Sequence, residues 1–322
     1  MTPNPQNIIK LLKKKEVGLS KFAAHAFESE GRENFEVDCE YRTPFQRDRD
    51  RILHSKAFRR LKRKTQVFFA PQNDHLRTRL THTLEVAQIA RTIVRILNIN
   101  EDLTEAIALG HDLGHGPFGH SGEDALDKVT SKGFCHNEHS VRVVKHIEKL
   151  NLCEETIDGI LNHTGLVAPK TLEGQIVKIS DRIAYLNHDI EDAIRARVIK
   201  VSDIPREFVD YFGPSKRERI KKVVNDIYIH SFDKPQINLS DECVTFLNNL
   251  RAWMFKNVYF SDKTKEREEF AKKIVQDLFH YYNQNEGEQL AIDYVAGMSD
   301  EFAIQTHQEI TVNGGNYVPK CS

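Results

Sequence analysis

No apolar run in the 322 residues approaches the roughly 18 that a bilayer-spanning helix needs. The N-terminal MTPNPQNIIKLLKKKE lacks an apolar stretch followed by a small-residue cleavage site, so neither a membrane partner nor a secretory leader is expected and the cytoplasm is the expected compartment. Cysteine is sparse. Cys39, Cys135, Cys153, Cys243 and Cys321 are scattered, odd in number and never spaced CxxC, which argues against a disulfide framework and against a zinc knuckle. Charge of one sign is not in excess either: 46 Lys and Arg against 47 Asp and Glu give a net charge of −1. That balance excludes a surface built throughout for nucleic acid, while leaving room for a local basic patch. Strand-like alternation is nearly absent, with one short candidate at Thr65–Phe69 (TQVFF), and there is neither an internal repeat nor a low-complexity tract. What is present, 39% hydrophobic and 29% charged residues, is the composition of a folded globular chain long enough for one large or two modest domains.

Helical periodicity dominates and predicts an all-α architecture. Leu80–Leu97 (LTHTLEVAQIARTIVRIL) carries too broad an apolar band, including Leu84, Val86, Ile89, Ile93 and Val94, for a surface helix and is expected at the centre. Further helices are expected at Leu103–Leu113, Glu123–Val129, Asn137–Lys149, Glu154–His163 and Leu172–Ile199. A looser stretch, Val201–Ser215, is expected to separate them from a second helical part over Lys216–Tyr282.

Histidine is concentrated rather than spread: six of the fifteen, His111, His115, His120, His136, His139 and His146, fall within 36 residues. In ALGHDLGHGPFGHSGEDAL (Ala108–Leu126) a helix is expected to end at His111-Asp112, with Gly114, Gly116, Pro117 and Gly119 forcing a loop and Ser121 capping the next helix. A lone histidine on a helix is usually a packed or surface residue. Here separated partners shift the balance, because His82 shares a stripe with Val86, Ile89 and Ile93, and Asp181 shares one with Val177 and Ala184. A carboxylate aimed into apolar surroundings needs a charge partner or a metal. His82, His111, Asp112 and Asp181 supply two imidazoles and two carboxylates, a mixed set suited to one divalent ion such as Mn, Mg, Fe, Ni or Zn with positions left open for substrate.

That ordered series resembles the HD-domain phosphohydrolase superfamily. RDRDRILHSKAFRRLKRKTQV (Arg47–Val67), RTRLTHTLEVAQIAR (Arg77–Arg91), GHDLGHGPFGHSGE (Gly110–Glu123), FCHNEHSVRVV (Phe134–Val144), LEGQIVKISDRIAYLNHDIEDAI (Leu172–Ile194) and DYVAGMSDEFA (Asp293–Ala303) together resemble the bacterial dGTPase-like deoxynucleoside triphosphate triphosphohydrolases. The resemblance covers nearly the whole chain. It implies an N-terminal segment over 1–46, a helical HD core over 47–200 and an additional helical phosphohydrolase-associated region over 201–322.

It also implies hydrolysis of a dNTP to deoxynucleoside and tripolyphosphate, with the metal on His82, His111, Asp112 and Asp181. Arg79, His115, His136 and Arg182 would face the phosphates, His120 would be the in-line histidine, and Glu123 would orient its ring and raise its pKa. Tyr185 would pack on the deoxyribose, and Asp189 and Gln66 would bind the 3′-hydroxyl; the i, i+4, i+8 spacing of Asp181, Tyr185 and Asp189 puts them in one helical row. Relatives assemble as multimers, so a homo-oligomer is expected, with dNTPs as activators at subunit interfaces. The chain departs from the family pattern at His139, where many relatives have glutamine, and at Glu301, where a basic residue is common. His163 is a candidate ligand of a second metal as in some HD enzymes. The base-specificity pocket has no readable code. Two other classes stay open: an HD phosphohydrolase acting on another nucleotide, such as a nucleoside monophosphate or guanosine tetraphosphate, and a non-catalytic nucleotide sensor or nucleic-acid binder using Arg59, Arg60, Lys62, Arg63 and Lys64.

Overall fold

In the computed structural model residues 5–67, 75–259 and 262–312 are described, and among them there are fifteen α-helices and no strand. In chain order these are α1 (Pro5–Glu16), α2 (Pro44–His54), α3 (Lys56–Arg60), α4 (Arg79–Leu97), α5 (Glu101–Gly110), α6 (Gly119–Val129), α7 (His136–Arg142) and α8 (Glu154–Asn162). They continue as α9 (Leu172–Arg195), α10 (Arg206–Phe212), α11 (Lys216–Ser231), α12 (Asp241–Met254), α13 (Asp262–Glu286), α14 (Glu288–Gly297) and α15 (Asp300–Val312). The strand expected at Thr65–Phe69 is not formed: Thr65 makes an isolated antiparallel bridge to Thr78, and Phe68 and Phe69 lie outside the described residues. A lone two-residue bridge cannot propagate here, because Thr78 immediately caps α4 through its own side chain.

The long apolar helix is central, as its sequence demands. In α4 Val86, Ile89, Ala90, Ile93 and Val94 are buried, packed against α5 and α9, while Leu84 faces outward at 49% exposure. Arg77, just before α4, binds α4 to α9 by pairing with Glu85 (2.7 Å), Glu191 (2.8 Å) and Asp192 (2.6 Å). The helix that carries His82 is thereby fixed against the helix that carries Asp181.

Packing runs across the boundary expected at residue 200. Phe208, Phe212, Val223, Ile227, Leu247 and Met254 of α10–α12 join the same apolar core as α4, α5 and α9. A second core unites Phe118, Leu126 and Phe134 with α13–α15, so α6 packs with the C-terminal helices. The stretch expected to be loose, Val201–Ser215, holds a helical turn at Val201–Asp203 and the short helix α10, because Phe208 and Phe212 bury one face. Two segments take the wider π-helical form, Val143–Ile147 and Phe255–Tyr259, and the first ends the helix expected to reach Lys149.

Glu173 shows what the core costs at one point. It is completely buried on α9, its Oε1 accepts the Ala24 and Asn100 amides (3.0 and 2.9 Å), and its other oxygen has no protein hydrogen-bond partner. Burial, only partly offset by those amides, pushes its pKa up to about 7. A carboxyl raised on folding binds its proton more tightly in the native state, so its contribution is fully present below the unfolded value near 4.5 and is lost as pH rises through about 7. Glu173→Gln keeps an acceptor for both amides and removes the titration. Its stability relative to the parent is expected to improve between pH 4.5 and 7 by on the order of 3 kcal/mol; denaturant unfolding of both proteins across that range, with no relative change, would refute the assignment.

Candidate metal centre and active site

Asn100 caps α5 at one end; at the other the helix stops at Gly110, delivering His111 and Asp112 into the core side by side. The imidazole of His111 is fully buried and its Nδ1 donates to the Ala108 carbonyl at 2.7 Å, which fixes the ring and turns Nε2 toward the cluster. That Nε2 has no protein hydrogen-bond partner, and carboxylate oxygens stand 3.4 Å (Asp112) and 3.9 Å (Asp181) away. Two carboxylates brought together in a buried site need positive charge among them, which a metal ion or the imidazoles' own protons can supply. His82 completes the group, with Nε2 2.9 Å from Asp181 Oδ1, and the ligating atoms of His82, His111 and Asp112 lie within 4.8 Å of one another. The donor set therefore fits a divalent ion.

Arg79 occupies the first position of α4. It is 1% exposed, and one guanidinium nitrogen meets Asp112 Oδ2 at 2.6 Å while two others have no protein partner. The cluster thus presents unspent positive hydrogen-bond donors beside the carboxylates.

The glycine-rich bend brings further histidines to this point. Gly114 is obligatory because a Cβ there would lie 2.1 Å from the Ser140 amide nitrogen, so the bend rests directly on α7. Phe118 and Gly119 then both take left-handed backbone angles (φ 61° and 58°) to start α6. The start of α6 at Gly119 corrects the expected cap: Ser121 lies inside the helix, and the capping residue is Phe118, which offers no side-chain acceptor.

His115 is buried and stacks on His136 with ring centroids 4.1 Å apart. Burial, followed by the positive charge of Arg79 and the neighbouring His136, holds the His115 pKa well below the ordinary imidazole range, so it is neutral. Glu123 accepts from His136 at both Nδ1 (2.7 Å) and the amide (2.9 Å), while His120 Nδ1 stands 3.6 Å from its other oxygen. The firmest partner of Glu123 is accordingly His136, and His120, 70% exposed, stands at the rim. His163 also arrives here, its Nε2 3.1 Å from His136 Nε2 and its Nδ1 2.7 Å from the Ile160 carbonyl.

Arg79, His82, Asp112, His115, His120 and His136 line one cavity of about 550 Å³, whereas His111, Glu123 and His163 are not among its lining residues. Along its wall α9 presents Asp181, Tyr185 and Asp189 in the expected row, and Gln66 also lines it, with a buried, unpartnered Oε1. Asp189 is buried, accepts from the Tyr259 hydroxyl and has its other oxygen unpartnered; burial pushes its pKa up to about 7.

Arg182, expected at the phosphates, is not among the lining residues and donates to Asn248 on α12 (2.5 Å). As the residue after Asp181, it is rotated about 100° around α9 from the row that faces the cavity. The cationic lining that the sequence did not reveal comes from later helices: Arg251 on α12, and Lys272 on α13, which pairs with Asp124 (3.0 Å). Phe255 and Tyr259 are aimed inward by the π-helical turn, which no residue spacing announces. Of the departures from the resembling family, His139 is buried against Phe134, with its pKa lowered by burial to about 4, and Glu301 pairs with Arg63 (3.0 Å).

Together the all-helical fold and the His/Asp cluster define an HD-domain hydrolase. Residues 79–186 match the HD domain model and residues 237–291 the phosphohydrolase-associated domain. The chain is 52% identical over 311 residues to a deoxyguanosinetriphosphate triphosphohydrolase-like protein of Caldanaerobacter subterraneus subsp. tengcongensis, covering 91% of this chain and 92% of that one. It is 44% identical to a protein of the same description from Clostridium perfringens, with 94% and 95% covered. A solved hypothetical protein from Aquifex aeolicus shares the fold at a TM-score of 0.52 and 22% identity, over 80% of this chain and 67% of that one. The chain belongs to the deoxyguanosinetriphosphate triphosphohydrolase-like family.

The geometry separates the buried His/Asp cluster from His120 at the rim. Asp181→Ala is expected to lose both bound metal and activity, whereas His120→Ala keeps its metal and loses about 10²-fold or more in kcat, the scale of general acid–base catalysis. Elemental analysis of the two purified variants checks this, and an empty site in His120→Ala would refute the division.

Proposed function

We propose that this chain hydrolyses a deoxynucleoside triphosphate to deoxynucleoside and tripolyphosphate. The observation that carries the reading is the single cavity in which a His/Asp cluster, the free donors of Arg79, and the row Tyr185–Asp189 with Gln66 follow one another. His82, His111, Asp112 and Asp181 would hold one divalent ion, of the set Mn, Mg, Fe, Ni or Zn, which when bound supplies positive charge beside the α-phosphorus.

The chain's own groups do the rest. A nucleoside triphosphate brings about four negative charges, and the buried guanidinium of Arg79 answers part of them in a low-dielectric site where donors act strongly. Neutral His115 donates a hydrogen bond without carrying a charge that would compete with the metal. His120, at the rim beside Glu123, transfers a proton to the departing 5′-oxygen, which leaves poorly as an alkoxide. Glu123 fixes the His136 ring through Nδ1 and turns its Nε2 toward Asp112 Oδ1, 4.0 Å away. On the sugar side Tyr185 packs at C2′, and the free oxygen of Asp189 and the Gln66 side chain take the 3′-hydroxyl. Arg182 would act by steadying α9 against α12 rather than by touching phosphate.

A homo-oligomer with dNTP activation at its interfaces belongs to the same reading, as does a cytoplasmic location; among the described residues no helix is long and apolar enough to cross a membrane. The non-catalytic alternative loses one of its proposed residues, since Lys64 is 2% exposed and donates to the His115 and Ala296 carbonyls.

Metal-loaded protein incubated with a dNTP panel, dGTP first, is expected to release tripolyphosphate. Orthophosphate or pyrophosphate would place the enzyme in another class, and no product would refute catalysis. Sugar discrimination gives a second test. Tyr185→Ala should lower dNTP turnover and shrink the dGTP-to-GTP ratio of kcat/KM, because the steric filter at C2′ is removed. Asp189→Asn should weaken both substrates and leave the ratio nearly intact. An unchanged ratio in the first, or a collapsed one in the second, would remove the basis for assigning α9 to the sugar.

A further inference from the structure

The segment from Asp293 to Asp300, at the junction of α14 and α15, reaches three separate parts of the site. Asp293 pairs with Arg142 of α7 through two contacts of 2.6 Å, and α7 begins with His136. The Ala296 carbonyl accepts from Lys64 Nζ (2.8 Å), which also donates to the His115 carbonyl. Asp300 is 5% exposed; its Oδ1 accepts the Phe118 amide and its Oδ2 the Thr65 amide, each at 2.8 Å.

The contact with Phe118 matters because of what Phe118 must do. A non-glycine residue in the left-handed region costs roughly 1–2 kcal/mol, and it persists only where its surroundings over-determine it. Here the ring is anchored in the core formed with α13–α15, and the amide is taken by Asp300. Two residues on stands His120, and five on stands Glu123. On the other side, Thr65 is the neighbour of Gln66, whose carbonyl would lie 2.8 Å from a Cβ at Gly119. The two halves of the cavity wall thus touch at Gly119, and one carboxylate holds both.

We propose that Asp300 is a positioning residue: by accepting the Phe118 and Thr65 amides it sets where α6 begins, and so places His120 and Glu123 against the His/Asp cluster and Gln66 beside them. Its effect on turnover rests on the triphosphohydrolase reading; its effect on the loop does not. A misplacement of about 1 Å is enough to cost on the order of 10²-fold in rate.

Two measurements on the full-length metal-loaded protein test this. In Asp300→Ala, amide hydrogen exchange is expected to quicken in peptides covering 61–67 and 113–120, while peptides from α4 and α9 keep their protection and metal content is unchanged. The kcat for dGTP should fall by about 10–100-fold, with KM changed much less. In the His120→Ala background the same substitution should cost clearly less than in the parent, since the part of its effect that acts through His120 is already lost. Asp300→Asn, which keeps one acceptor, should fall between parent and Asp300→Ala, and it serves if Asp300→Ala does not fold. Unchanged exchange at 113–120, loss of protection spread over the whole chain, or an equal rate loss in both backgrounds would overturn the proposal. If the parent protein releases no tripolyphosphate from dGTP, the functional reading fails, and the exchange data alone then decide whether Asp300 holds the loop.

Discussion

Two carboxylates cannot be carried into a helical core without an answer to their charge, and the structure is organised around that constraint. Asp112 and Asp181 meet among buried imidazoles and one buried guanidinium. Arg79 answers Asp112 and His82 answers Asp181, while Nε2 of His111 faces both carboxylates without a hydrogen bond to either. His82, His111 and Asp112 lie close enough together to share a metal ion. Everything that fixes α4 against α5 and α9, including the three ion pairs of Arg77 and the apolar face of α4, serves to keep these groups at ligand distance.

The part of this arrangement that rests on helical periodicity was legible in the sequence. His82 and Asp181 lie on apolar stripes, so their inward direction follows from the 3.6-residue repeat alone, and the row Asp181, Tyr185, Asp189 follows from the same geometry. The all-α class follows from it too. Where periodicity breaks, the reading fails for physical reasons. The left-handed pair Phe118–Gly119 starts α6 before Ser121, and a wider turn at Phe255–Tyr259 swings two aromatic rings into the cavity. Arg182 shows the opposite limit: adjacency to a ligand in sequence is a rotation of about 100° on a helix, enough to carry its side chain to Asn248 instead.

Long-range partners were the least legible. Lys64 reads as one charge in a basic run, whereas in the fold it is a buried donor to the carbonyls of His115 and Ala296. Burial, the largest influence, brings its pKa down to about 7, and only the contacts supplied by α14 and the bend make such burial tolerable. Nothing in the local sequence distinguishes it from Lys62, which is exposed. The same holds for His163, whose approach to His136 depends on α8 crossing behind α7.

The two apolar cores suggest how the halves of the cavity divide their tasks. The His/Asp cluster and the row Asp181, Tyr185, Asp189 are carried by α4, α5 and α9, within the larger core that the ion pairs of Arg77 lock. His120 and Glu123 ride on α6, whose buried face belongs to the smaller core with α13–α15. The buried cluster and the pair His120 and Glu123 therefore stand on different packing units. They join through the stacked rings of His115 and His136, the contact of Glu123 with His136, the Arg142–Asp293 pair, Lys64 donating to the Ala296 carbonyl, the close approach of Gly119 to Gln66, and the amides gathered by Asp300. Chemistry that uses both sets of groups, as in the reaction proposed above, therefore depends on the joint between the cores as much as on either core.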